Sequence, residues 1–186
     1  MKKGRLFVVS GPSGAGKSTV TKLVRKELDI PLAISATTRK PRVGEINKVD
    51  YYFFNQEEFE KKIEENGFLE YANVHGNYYG TLKSEVEEKL EFGENVILEI
   101  DVQGGEQIKE RFPEACLVFF KAPNEIELES RLRGRNTDSE DVIQIRLKNA
   151  LKELEYEKKY DIVIINNTVE QAILDLKKVI LEDGKK

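Results

Sequence analysis

Nine residues, "GPSGAGKST" (Gly11 to Thr19), stand directly after the apolar run "LFVVS" and directly before "VTKLVRKEL". Gly11, Gly16, Lys17 and Ser18 satisfy the pattern G-x-x-x-x-G-K-[ST], with Pro12, Ser13, Gly14 and Ala15 in its variable part and Thr19 after it. Glycines let successive backbone N–H groups turn toward one centre and let a phosphate approach without Cβ interference. A helix starting near Lys17 adds the positive end of its dipole. In such a loop the lysine reaches the outer phosphates of a nucleotide and the Ser18 hydroxyl holds Mg²⁺. The expected partner is an acid at the end of a buried strand. "VILEID" offers Glu99 and Asp101, two residues apart and so on one side of a strand, with one or both facing the metal.

Arginines extend this chemistry. Six of the nine fall in two short segments: Arg39 and Arg42 in "ATTRKPRVGE", and Arg131, Arg133, Arg135 and Arg146 in "RLRGRNTDSEDVIQIR". Arginine presents a planar fork of donors that suits oxyanions. Arg39 and Arg42, three apart in a proline-containing loop, suit a second phosphate. Arg131 and Arg135 share a helix face if the helix runs that far. A polar segment carrying arginines between two helices is the kind that closes over phosphates and excludes water.

The elements that must hold these residues are legible from apolar patterning. Strands are expected at Leu6–Ser10, Leu32–Ser35, Val49–Phe54, Asn95–Asp101, Cys116–Lys121 and Asp161–Ile165, with a pair of strands around the turn "HGN". Helices are expected from Lys17, over Gln56–Asn66 with Gly67 as its stop, and over "KSEVEEKLEFG" stopped by Gly93. Further helices are expected over about Gly105–Arg111, from "APNE" to Gly134, over about Ser139–Lys158, and from Val169 onward. Apolar strands without polar alternation, separated by helices, imply a parallel sheet covered on both faces. The denser β pattern at Tyr51–Thr81 breaks that rhythm and reads as an inserted lobe.

At 186 residues the chain is long enough for one domain with a substantial core. No window approaches the ~20 apolar residues that span a bilayer, and the N-terminus lacks the form of a secretory signal. A net charge of −4 argues against a nucleic-acid partner. One cysteine (Cys116) and one histidine (His75) provide neither a disulfide nor a His/Cys metal cage, and point to a cytoplasmic setting. His75 reads as an exposed turn residue, Cys116 as core and Tyr78 as lobe packing.

Five segments, "GPSGAGKST", "SATTRKPRVGEINKVDYYF", "FLEYANVHGNYYGT", "ILEIDVQG" and "RLRGRNTDSEDVIQIRL", together resemble the guanylate kinase family, in the same order along nearly the whole chain. The resemblance implies an α/β fold: a P-loop NTPase-type parallel sheet, an inserted mixed β/α lobe that binds the nucleoside monophosphate, and a small helical lid. The boundaries it suggests are a core of 1–34, 95–130 and 150–186, a lobe of about 35–94 and a lid of about 131–149. It implies transfer of the γ-phosphoryl group of ATP to GMP, and to dGMP, with Mg²⁺. By motif it implies an ATP site at Gly11–Thr19. It also implies a GMP phosphate site at Arg39, Arg42, Tyr51 and Tyr79, and a guanine site at Ser35, Glu70 and Thr81. Asp101 then stands between GMP and the metal, with Glu99 grouped among the GMP-binding residues and Ser18 as the other metal ligand. Lys17, Arg42, Arg131, Arg135 and Arg146 carry the transfer. Thr81 stands where some members have serine, and "INNTVEQ" departs from a more acidic version, so no adenine contact is carried over to Asn166 or Asn167.

The guanine reading has its own chemistry. Guanine offers N1–H and N2–H₂ as adjacent donors, whereas adenine N1 accepts. A carboxylate only accepts, so Glu70 matches the first and opposes the second. Hydroxyls of Ser35 and Thr81 are available to donate to O6.

Overall fold

The computed structural model describes residues 3–134 and 139–182. In chain order the elements are β1 (Leu6–Ser10), α1 (Lys17–Glu27), β2 (Ser35–Thr37), β3 (Tyr52–Phe53), α2 (Gln56–Glu64), β4 (Phe68–Val74), β5 (Asn77–Leu82) and α3 (Lys83–Glu91). There follow β6 (Val96–Glu99), α4 (Val102–Arg111), β7 (Cys116–Lys121), α5 (Glu125–Arg133), α6 (Glu140–Leu154), a 3₁₀ turn at Glu155–Lys159, β8 (Ile162–Ile165) and α7 (Val169–Glu182). They form two compact units. One comprises Pro31–Val96 and Gln103–Ala115 with the chain up to Leu6; the other comprises Phe7–Ile30, Ile97–Val102 and the chain from Cys116.

The second unit is built on a four-stranded sheet of order β6-β1-β7-β8. β1 pairs parallel with β7, and β7 with β8. Every residue of β1 is buried, because a strand covered on both faces cannot alternate polar and apolar side chains. Phe7, Val9, Val118 and Phe120 pack with Val20 and Val24 of α1 and with Ala172, Leu176 and Ile180 of α7. The expected parallel sheet flanked by helices is therefore present, and Cys116 is buried in this core.

The first unit carries a mixed sheet of order β3-β2-β5-β4. The β4–β5 hairpin turns at His75 and Gly76, both at positive φ, the pattern of a tight two-residue turn. His75 is exposed there, as its turn position requires. Phe59 of α2 stacks on Phe68 at 4.3 Å and on Tyr78 at 5.1 Å, so Tyr78 packs the lobe as expected.

Several expected boundaries differ. The strand placed at Leu32–Ser35 lies at Ser35–Thr37, because Leu32 is exposed and pairing begins only where Ser35 meets Thr81. The stretch Val49–Phe54 yields only Tyr52–Phe53 as strand, preceded by a loop whose exposed Val49 has no face to bury. α2 stops at Glu64, and the left-handed residue that ends it is Asn66 rather than Gly67. α4 begins at Val102, earlier than its two glycines suggest, since Val102, Gly104 and Gly105 are all buried. The helix expected to reach Lys158 is α-helical only to Leu154 and tightens into the 3₁₀ turn.

Glu85 of α3 is a buried carboxylate at the centre of the first unit's polar framework. It accepts from Tyr52 Oη (2.7 Å), Lys89 Nζ (2.7 Å) and the Ile34 N–H (3.3 Å). Burial pushes its pKa upward, but these three donors outweigh burial and hold it below the ordinary glutamate value, while Tyr52 is pushed up to about 12. A depressed folded-state pKa contributes stability that is present above the unfolded pKa and lost as pH falls through the folded value. Glu85→Ala should cost about 2–3 kcal/mol by leaving the Tyr52 hydroxyl and the Ile34 N–H without their acceptor. Glu85→Gln should flatten the acid side of the Tm-versus-pH curve. Chemical denaturation and thermal melts across acid pH measure both.

Candidate active site

The residues Gly11–Thr19 join β1 to α1 and form one wall of a cavity of about 420 Å³. Glu99, Ile100, Asp101 and Glu153 complete the lining. Gly11, Gly14 and Gly16 all have positive φ. At Gly16 (φ 85) an added Cβ would also stand 2.3 Å from Asn166 Nδ2, so the position needs glycine both for its backbone angle and for room. Lys17 Nζ donates to the carbonyls of Gly11 (2.5 Å) and Pro12 (2.9 Å), which fixes its stem along the cavity.

Glu99 ends β6 and accepts from the hydroxyls of Ser18 (2.5 Å) and Thr21 (2.9 Å). Thr21 also donates to the Lys17 carbonyl (2.9 Å), so the first turn of α1 is tied to the end of β6. Asp101 lies beyond the strand. The Ile100 N–H still bonds to the Val9 carbonyl, but β6 ends at Glu99 and α4 starts at Val102. The same-side spacing expected from an unbroken strand therefore does not apply, although both carboxylates are exposed and line one cavity. Ser18, Glu99 and Asp101 together give hard oxygen donors, the set that suits Mg²⁺ rather than a soft metal.

Asn166, just after β8, has no role assigned to it from sequence. It is buried, and its Nδ2 donates to the Ala15 carbonyl at 2.8 Å, bracing the loop from behind. Arg131 binds back into the same region: its NH2 donates to the Asn166 carbonyl (3.0 Å) and its Nε to Glu127 (2.9 Å). Arg146 of α6 donates to Ser13 Oγ at 2.8 Å. Arg133 is instead held by Glu129 and Glu140, consistent with a surface role. α5 ends at Arg133, so Arg131 and Arg135 do not share an established helix face; Arg135 lies outside the described residues.

Glu153 is the cavity residue that sequence reasoning missed. It lies seven positions after Arg146, two turns along α6 and so on the same face, a spacing that becomes informative only once Arg146 is seen on the loop. It lines the cavity with Ser13 and Lys17. Burial pushes its pKa upward, Lys17 opposes that rise and Asp101 adds to it.

The first unit holds the other group. Ser35 of β2 pairs opposite Thr81 of β5, and Thr81 opposite Glu70 of β4. Directly opposed residues point to the same face, so the three form one row across the sheet. A bulge makes this possible. Phe68 pairs with Leu82 while Glu70 pairs with Thr81, so Leu69 is the extra residue and Glu70 turns away from the core face that Phe68 occupies. Gly80 leaves the room, since a Cβ there would stand 2.8 Å from the Glu70 carbonyl. Glu70 and Thr81 are both buried, and Thr81 Oγ1 donates to Glu70 Oε1 at 2.7 Å. In that bond the Thr81 proton is directed at the Glu70 carboxylate.

Arg39, Arg42, Tyr51 and Tyr79 are also gathered in this unit. The Arg39 guanidinium lies over the Tyr51 ring at 5.5 Å, and the Tyr51 and Tyr79 rings meet edge-on at 6.3 Å. Glu45, which sequence reasoning did not single out, accepts from Arg39 NH2 (2.8 Å) and from the Arg42 N–H (2.7 Å). Those two donors hold its carboxyl below the ordinary value, with Arg39 the larger cause.

Comparison with known proteins identifies the family. A family model described as guanylate kinase matches residues 3–183. Guanylate kinase of Fusobacterium nucleatum subsp. nucleatum is 70% identical over 186 residues, covering 100% of both chains. The enzyme of Clostridium acetobutylicum is 50% identical over 182 residues, covering 98% of this chain and 87% of its own. Among solved structures, guanylate kinase from Anaplasma phagocytophilum superposes with a TM-score of 0.73 at 28% identity, covering 100% of this chain and 88% of that one. The chain belongs to the guanylate kinase family.

Proposed function

We propose that this chain transfers the γ-phosphoryl group of ATP to GMP, giving ADP and GDP, and that it accepts dGMP as well. The observation that carries the base assignment is the buried Glu70–Thr81 pair in line with Ser35. A buried acceptor that must be satisfied rejects a base lacking the donors, because the wrong partner leaves the carboxylate unpaired or repelled.

Backbone N–H groups of Gly11–Thr19 and the Lys17 ammonium bind the ATP phosphates, and Arg131, Arg135 and Arg146 supply further cationic donors. Ser18 and Asp101, with Glu99 holding the serine hydroxyl, are the residues that would hold Mg²⁺. The metal when bound neutralises charge on the phosphate oxygens. Arg39, Arg42, Tyr51 and Tyr79 bind the GMP phosphate, with the Glu45 carboxylate ordering the two arginine positions. No general base is required, since a phosphate monoester has its second pKa near ~6 and is already largely dianionic at neutral pH. The protein's contribution is positioning and electrostatic stabilisation of the spreading charge. The division into core, monophosphate-binding lobe (about 35–94) and lid (about 131–149) belongs to this proposal. So does a cytoplasmic setting, supported by a single reduced and buried cysteine. Among the described residues no helix is long and apolar enough to cross a membrane.

Lys17→Ala should lower turnover by at least ~100-fold, equivalent to ~2.7 kcal/mol of transition-state stabilisation. A folded variant that turns over near the normal rate would remove Lys17 from the chemistry. For the base, Glu70→Gln supplies an amide with one donor and one acceptor. It should reduce kcat/KM for GMP by about 10–150-fold, the value of a charge-assisted hydrogen bond, and reduce it less for AMP. An unchanged GMP-to-AMP ratio would show that Glu70 does not read the base.

A further inference from the structure

The wall of the phosphate cavity contributed by α6 carries an anion. Glu153 lines that cavity together with Lys17 and Ser13, residues of the loop that binds phosphate in the proposed function. The two other carboxylates on the cavity stand differently. Glu99 is engaged by the hydroxyls of Ser18 and Thr21, and Asp101 is exposed beside it, so both belong with the hard-oxygen set. Glu153 touches neither hydroxyl in the described contacts. It shares the cavity with the loop at Ser13 and with the Lys17 charge, which are the surroundings a phosphate oxygen takes. Arg146, on the same face of α6, donates to the Ser13 hydroxyl, so one helix presents a cation and an anion to one loop residue.

We propose that Glu153 is a positioning residue whose charge also competes with nucleotide phosphates for the cradle, weakening the hold on ADP and hastening its release. The proposal rests on the assignment of this cavity to ATP. A fixed negative charge a few ångströms from a polyphosphate, in a cavity partly screened from water, opposes binding far more than the same charge at an open surface. It opposes substrate and product diphosphate alike, and so is felt in turnover wherever product departure limits the rate. A polar side chain with a purely structural place on this wall needs no charge. That difference separates the two roles.

The test compares the full-length wild-type chain with Glu153→Gln and Glu153→Asp. Glu153→Gln keeps a polar side chain of nearly the same volume without the charge, while Glu153→Asp keeps the charge on a shorter stem. ADP affinity is measured by calorimetry in buffer containing a chelator, and kcat and KM for ATP are measured separately at saturating GMP. Glu153→Gln should bind ADP at least about fivefold more tightly, with kcat and KM for ATP falling together, and Glu153→Asp should stay within about twofold of wild type. If wild type binds ADP and Glu153→Gln binds it no more tightly, the competing-anion role is overturned while the ATP site stands. If wild type itself binds no ADP, the ATP-site assignment fails and the proposal fails with it.

Discussion

The constraint on which the nucleotide end of this fold depends is a short chain reversal at Gly11–Gly16. The loop leaves a fully buried strand and must enter a helix while turning its N–H groups toward one centre. Three glycines at positive φ make the path possible, and at Gly16 the carboxamide of Asn166 stands where any side chain would be. The surroundings then follow from keeping that path fixed. Asn166 donates to Ala15 from the end of β8, Thr21 and Glu99 pin the start of α1 to the end of β6, and Arg146 reaches Ser13 from α6. A loop of backbone donors is thus held by side chains from α1, α6 and the ends of β6 and β8, a fixed arrangement of the kind that preorganised electrostatic catalysis requires.

The first unit solves a different problem, which is to bury a carboxylate and keep it useful. Regular alternation along β4 would put Glu70 on the face of Phe68, among Phe59 and Leu82. The bulge at Leu69 avoids this by rotating the strand one residue, and Gly80 opposite makes the rotation sterically possible. The Glu70 carboxylate then accepts from the Thr81 hydroxyl. Glu85, by contrast, is engaged by Tyr52, Lys89 and the Ile34 N–H together. Two buried glutamates of one unit thus stand differently: Glu70 on the row with Ser35 and Thr81, and Glu85 tying α3 to Tyr52 and Ile34.

The fold class was legible because its signals are local and strong. An unbroken apolar run before a glycine-rich loop gives β1, and helical spacing from Val20 to Leu28 gives α1, with β7 placed at its true ends from "CLVFFK". What was not legible depends on non-local geometry. The bulge at Leu69 leaves no mark in composition. Glu153 reads as one more acid on a charged helix until Arg146 is seen seven residues earlier on the loop. Glu45 lies in an exposed, charged segment, and only the fold brings its carboxylate to Arg39 and the Arg42 N–H. Asn66 ends α2 in place of Gly67 because asparagine tolerates the left-handed region almost as well, so the two neighbours compete for the role.

The central claim is that a backbone cradle for a nucleoside triphosphate and a buried acceptor for guanine belong to one phosphotransferase. The most direct measurement is ADP release from ATP by the purified chain with GMP, dGMP, AMP, CMP and UMP as acceptors, read as kcat/KM for each. The account predicts efficient turnover with GMP, measurable turnover with dGMP, and at least about a hundredfold lower efficiency with the other three, since a buried polar match discriminates on that scale or beyond. Comparable efficiency with AMP, or no acceptor-dependent release at all, would contradict it.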